Sequence, residues 1–197
     1  FKAERESTVE NWNNVASKFE EVENSIKGTK KKIYKRFDFW NHIQAQAKVD
    51  TAVAYAAFVE LNNSVNPTEE DYNRVGSLLA NVAIENYDLN VRHDGLAEEC
   101  DSKFEEIYKK VKDMKQEEQN SELLADFTLM KNQIRLTQTD ELCKYAEVCE
   151  PEERCQLLNE AKNTYDELYY YFMNIGRNEK VIDCYEGLQR IESGYYD

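Results

Sequence analysis

Six glycines and two prolines in 197 residues leave this chain nearly without the residues that make tight turns. Their combined share is about a third of the roughly 12% usual in proteins. A sheet of short strands needs a turn signal roughly every ten residues, so a β-rich fold is excluded. The apolar residues repeat at the helical period instead. From Ser7 they fall at Val9, Trp12, Val15, Phe19, Val22 and Ile26, steps of three or four that keep one face apolar. The chain is therefore expected to be all-α.

Gly28 breaks that first helix. A second, longer one carries Ile33, Phe37, Trp40, Ile43, Ala47, Val53, Ala54, Ala57, Phe58 and Leu61, with alanine where a neighbouring helix can come close. Asn66-Pro67-Thr68-Glu69 reads as a helix start, with Asn66 as the cap and Pro67 in the first turn, where its missing N–H does no harm. The third helix buries Tyr72, Val75, Leu79, Val82 and Ile84, and Gly76 marks close packing. After an Asp94-Gly95 turn, the fourth shows Leu96, Cys100, Phe104, Ile107, Val111 and Met114. The fifth starts at Ser121 and reaches Cys143 or Val148, with a break and restart expected across residues 137–140. The sixth follows Cys155, Leu158, Ala161, Tyr165, Leu168, Phe172 and Ile175 to a cap at Gly176, and the seventh follows Val181, Cys184, Tyr185, Leu188 and Ile191. The expected fold is one domain over 1–197, a multi-helix bundle of about seven helices. The alternative is two stacked helical subdomains meeting near 94–95.

All five cysteines, Cys100, Cys143, Cys149, Cys155 and Cys184, lie in the second half of the chain. With Pro151 in the first turn of a helix, Cys149 ends one helix and Cys155 lies one turn into the next, close enough for a disulfide. Cys143 and Cys184 become candidates for tying this hairpin to its neighbours, and Cys100 is left over or pairs with Cys143. A disulfide-stapled C-terminal half is expected, which points to an oxidising compartment. Reduced cysteines in an intracellular core are the competing reading. The spacings of six do not suit zinc, and neither metal nor cofactor is expected.

The 25 Lys and Arg against 39 Asp and Glu give a formal charge of −14, which repels nucleic acid. The most apolar stretch, residues 52–61, is about half a membrane span and contains Glu60, so no insertion is expected. His42 and His93 are the two imidazoles, each in a setting typical of a structural residue. Glycine-rich phosphate loops, nucleophile elbows and His-Glu-x-x-His pairs do not occur. No catalytic residue, and no enzyme, is expected.

Binding features stand out instead. Lys30, Lys31, Lys32, Lys35 and Arg36 form the one basic concentration, a candidate contact for an anionic surface or an ordinary solvated helix face. Tyrosine is in surplus at 13 residues. Tyr169 continues the core stripe, whereas Tyr170 and Tyr171 face other directions and are candidate protein-contact anchors, as are Tyr195 and Tyr196 in the tail. Asn62-Asn63-Ser64 is a glycosylation acceptor placed in a link between helices.

Phe1 opens the chain without a signal-peptide pattern, as a processed mature chain or an excised fragment would. With Cys143, Cys149, Cys155 and Cys184 grouped late and Tyr195-Tyr196-Asp197 at the end, the chain resembles small, acidic, all-helical salivary proteins of blood-feeding insects such as mosquitoes. The resemblance covers general character over the whole chain and no specific motif. It implies a secreted, non-enzymatic binding protein that modulates haemostasis or immune cells of a host. The alternatives are a helical carrier of a small hydrophobic ligand and an intracellular helical scaffold.

Overall fold

The computed structural model describes residues 9–27, 35–88, 96–115, 118 and 121–194, without the side chains of 19–20, 22–27, 35–45, 88 and 96. Seven helices hold nearly all of these residues: α1 (Val9–Lys27), α2 (Lys35–Asn63), α3 (Glu69–Asp88), α4 (Leu96–Met114), α5 (Glu122–Ala146), α6 (Pro151–Asn174) and α7 (Asn178–Glu192). No strand occurs among the described residues. The fold is all-α, as the apolar period requires. The chain divides into two compact units, Phe1–Met130 and Lys131–Asp197, and the division falls inside α5. Asp94-Gly95, the boundary expected from the sequence, lies outside the described residues, and α3 and α4 on either side of it pack together in the first unit.

In the first unit α2 packs on α1, α3 and α4. A helix with neighbours on several sides loses its polar face, and residues 52–58 accordingly bury everything except Val53. The alanines Ala52, Ala54, Ala56 and Ala57 are all buried there. Gly76 on α3 has the Phe127 ring against it, and Phe127 stacks on Phe104 at 5.6 Å. The start of α3 differs from expectation. Thr68, not Asn66, is the cap: its hydroxyl accepts from the Asp71 N–H at 3.2 Å, and the Asp71 carboxylate accepts the Thr68 N–H and O–H at 2.9 and 2.8 Å. This is a capping box, and Pro67 stands before it rather than in the first turn. Lys115, just past α4, pairs with Glu69 and Glu118. Asn86 is buried on the core face of α3 with both amide atoms lacking a hydrogen-bond partner.

In the second unit the break expected at 137–140 is absent, and α5 runs through it. The Thr137 and Thr139 hydroxyls donate to the carbonyls of Gln133 and Arg135 one turn back, which satisfies them without leaving the helix. Arg154 then fixes the link to α6, its guanidinium donating to the carbonyls of Ala146 at 3.1 Å and Cys149 at 3.2 Å. These are carbonyls that a helix end leaves unpaired. Pro151 opens α6 as expected. At the far end Gly176 takes φ +72°. The Arg177 N–H reaches the Phe172 carbonyl and the Gly176 N–H the Met173 carbonyl, a Schellman motif that turns the chain sharply into α7. Gly187 on α7 sits against the Tyr165 ring, where a Cβ would come 2.5 Å from it.

The expected disulfide staple is corrected by the structure. All five cysteines are free: Cys100, Cys143, Cys149 and Cys184 are buried and Cys155 is exposed. The reason is the Arg154 tie and the phase of α6. Cys149 is held in the link, its thiol donating to the Tyr145 carbonyl at 3.3 Å. Cys155 falls about a third of a helical turn from the buried face of Ala161, Tyr165, Leu168 and Phe172, where its sulfur accepts from Asn159. Cys143 faces the Tyr165 hydroxyl at 3.9 Å. Neither Cys184 nor Cys100 has a cysteine within bonding reach.

Candidate functional site

Each unit has a buried tyrosine hydroxyl bound to a carboxylate beside a cysteine. In the first, Tyr55 on α2 donates to Glu99 on α4 at 2.6 Å. The Trp12 ring meets the Tyr55 ring edge-on at 4.6 Å, and Lys103 lies 4.7 Å from the Tyr55 ring centre. Burial, then the neighbouring Cys100 and Glu99, raises the phenol well above its ordinary range. Burial also pushes the Cys100 thiol up to about 12. In the second, Tyr165 on α6 donates to Asp140 on α5 at 2.6 Å, with Arg190 of α7 3.8 Å from the same carboxylate. Burial raises Asp140 above the usual carboxylate range against the opposing pull of the Tyr165 hydrogen bond, Arg190 and Lys144. Burial pushes Cys184 up to about 12. The two tyrosine hydroxyls and the Cys100 and Cys184 thiols are thereby held in their protonated, poorly nucleophilic forms. They pin helices together.

The surface of the second unit offers a different arrangement. Lys162 of α6 and Glu192 of α7 pair at 2.8 Å across the outer side of the hairpin. Residues three and four apart share a helix face, so two stripes run from that ion pair toward the Gly176 link. Along α6 the stripe is Lys162, Asp166, Tyr169 and Met173, and along α7 it is Glu192, Gln189, Tyr185 and Ile182. Gln189 donates to the Tyr185 hydroxyl at 2.8 Å along its stripe. The seam is thus polar at one end and apolar at the other. At the apolar end Met173 is 47% exposed, Ile182 57% and Tyr185 52%, and the adjacent Tyr170 is 60% exposed. Tyr169 and Tyr170 meet edge-on at 5.5 Å. An open concavity lies further along α7, lined by Glu186, Gln189, Arg190, Glu192 and Ser193. It is open to solvent and lined by five polar or charged residues along one helix, without the enclosure a carrier needs.

The structure distributes the expected site residues as follows. Tyr170 faces outward, and Tyr171 is half-buried with its ring edge against Phe172. Asn62 is exposed in the last turn of α2 rather than in a link, its carbonyl accepting from Lys110 at 2.8 Å. Lys30, Lys31, Lys32, Tyr195 and Tyr196 lie outside the described residues, as do His93 and the side chains of Lys35, Arg36 and His42. Met173 and Ile182 escaped the sequence reading, which also placed Tyr185 on the buried stripe of the last helix. The usable signal was angular: Tyr185 is 100° from Cys184, and Gly187 takes up the burial that a large side chain would claim.

Among the described residues no group of three or more His, Cys, Asp or Glu side chains could hold a metal ion. No helix among them is long and apolar enough to cross a membrane. No protein-family model, curated protein or solved structure matches the chain.

Proposed function

We propose that this chain is a non-enzymatic helical binding protein that holds a macromolecular partner on the outer seam of the α6–α7 hairpin. The observation that carries the reading is the exposure of Met173, Ile182 and Tyr185 on the two stripes that run from the Lys162–Glu192 pair, with Tyr170 exposed beside Tyr169. Large side chains with few rotatable bonds make effective contact anchors. The hairpin beneath them is held by the Schellman turn and the Tyr165–Gly187 seat, so little ordering is left for the binding step. Burial keeps Cys100 and Cys184 as thiols, poor nucleophiles, which supports binding over chemistry. The test is capture from plasma and leukocyte membranes on immobilised chain, with mass identification. A protein retained by the wild type and lost with Tyr170→Ser/Tyr185→Ser supports the reading, and identical recovery on both removes it.

The resemblance to salivary proteins makes that partner a host protein outside the cell, acting in haemostasis or on immune cells. A second reading, an intracellular helical scaffold, is favoured by one observation: five cysteines without a disulfide, the usual state of thiols in a reducing compartment.

A further inference from the structure

The seam is rimmed by carboxylates. Along α6, Asp166 is one turn before Tyr170; along α7, Glu179 and Glu186 are one turn either side of Ile182. Glu179, Glu186 and Asp166 are exposed, and none of the three is in an ion pair among the described residues. The nearby cations Lys162 and Lys180 pair with Glu192 and Asp183, Lys162 also feeling Asp166. Arg190, whose guanidinium donates to the Glu186 carbonyl and lies 3.8 Å from Asp140, stands with Arg177 at the link as the opposing charge against the more numerous carboxylates. Each helix therefore presents a large apolar side chain about 6 Å, one turn, from a carboxylate. The formal charge of −14 disfavours a second copy of the chain or an anionic surface as occupant and draws cations in.

From this we infer that the seam docks a basic amphipathic polypeptide segment, one whose Lys or Arg residues lie about a helical turn from its large apolar side chains. The inference rests on the seam being the binding surface and adds the chemistry of what it binds. Its apolar side chains would cover Tyr170, Met173, Ile182 and Tyr185, while its cations meet Asp166, Glu179 and Glu186.

The experiment uses the full chain and a fluorescent, designed amphipathic helix of leucine and lysine, with fluorescence anisotropy read at low and at physiological salt. The same peptide with glutamate for lysine is the control. The expected result is salt-sensitive binding of the lysine peptide alone. Asp166→Lys/Glu186→Lys should weaken it by about tenfold and flatten its salt dependence. Tyr170→Ser/Tyr185→Ser should weaken it at both salt concentrations, and Glu147→Lys/Glu150→Lys, in the α5–α6 link, should lose less than about twofold. All these positions are exposed, so helicity by circular dichroism should match the wild type. If the two lysine variants lose equally, overall charge alone attracts the peptide and the inference fails. Loss in the tyrosine variant but none in Asp166→Lys/Glu186→Lys overturns the cationic partner while leaving the seam as a binding surface. No loss in the tyrosine variant overturns both. Concentration-dependent association of the chain itself, seen by light scattering and abolished by the tyrosine changes, would replace the basic segment with a second copy.

Discussion

Thr68 and Asp71 close the start of α3 by exchanging hydrogen bonds between their side chains and backbones. Removing a Ser or Thr cap typically costs about 1 kcal/mol, and Thr68→Ala should lower stability to urea by about that amount. The Thr68 N–H and hydroxyl hold the Asp71 carboxyl below its ordinary range. A lowered carboxyl favours the folded state above the unfolded value near 3.9 and loses that contribution as pH falls further. The gap between wild type and Thr68→Ala should therefore narrow between about pH 6 and pH 3; an unchanged gap would separate the cap from Asp71 ionisation. Asn86 works against stability, since its buried amide finds no hydrogen-bond partner. An orphaned buried polar group costs about 1–3 kcal/mol, and a similarly shaped apolar side chain avoids that. Asn86→Leu should raise the urea midpoint, and a fall would mean that the amide is satisfied in solution.

Helix α7 is seated by its backbone as much as by its side chains. The Tyr165 ring fills the space above Gly187, where any Cβ would overlap it. Overpacking a rigid core costs about 1–3 kcal/mol, and the better helix propensity of alanine returns up to about 1. Gly187→Ala should thus destabilise the hairpin by about 1–2 kcal/mol, read as a lower melting temperature of the α6–α7 helical signal; a gain would show that Tyr165 swings aside. The same ring positions the proton chemistry of the seat. Asp140 takes the Tyr165 hydrogen bond and faces Lys144 on its own helix and Arg190 and Asp183 on α7, with burial the largest influence on it. A raised carboxyl binds its proton more tightly when folded, so stability from this group grows as pH drops through the folded value toward about 3.9, the unfolded one. Asp140→Asn removes that proton equilibrium. Relative to the variant, wild type should gain stability between about pH 7 and pH 4. A flat difference in urea midpoint over that range would discard the role of Asp140 ionisation.

Across the whole chain, free thiols are the property most easily checked in solution. Cys155 is exposed and the other four cysteines are buried, with Cys100 and Cys184 further protected by thiol pKa values pushed up to about 12. A thiol reagent should modify one residue rapidly in the native protein and all five after unfolding. Peptide mapping should place the rapid label on Cys155. Recovery of a single thiol after unfolding would contradict the cysteine arrangement and strengthen the extracellular reading over the intracellular scaffold.

Helix content, order and most boundaries were readable from residue spacing because the apolar period is a local property of the chain. The first helix, expected from Ser7, is described from Val9 onward, Gly176 does cap α6, and Gly76 is indeed a point of close packing, against Phe127. Errors arose where a residue had more than one place to send a hydrogen bond or a side chain. Thr68 outcompeted Asn66 as cap, and the threonines of α5 bonded backward instead of ending the helix. Arg154 turned the Cys149–Cys155 link away from a disulfide. The seam was half legible, since Tyr170 announced itself by opposing the core stripe while Tyr185 looked buried. Periodicity states which side chains share a face, and that much belongs to the chain alone. Which faces meet depends on contacts between residues far apart in sequence, such as Tyr165 on Gly187 and Lys162 on Glu192. Packing Tyr165 on Gly187 set the buried faces of α6 and α7 and left exposed the stripes that run from the Lys162–Glu192 pair, and only the assembled helices could decide that.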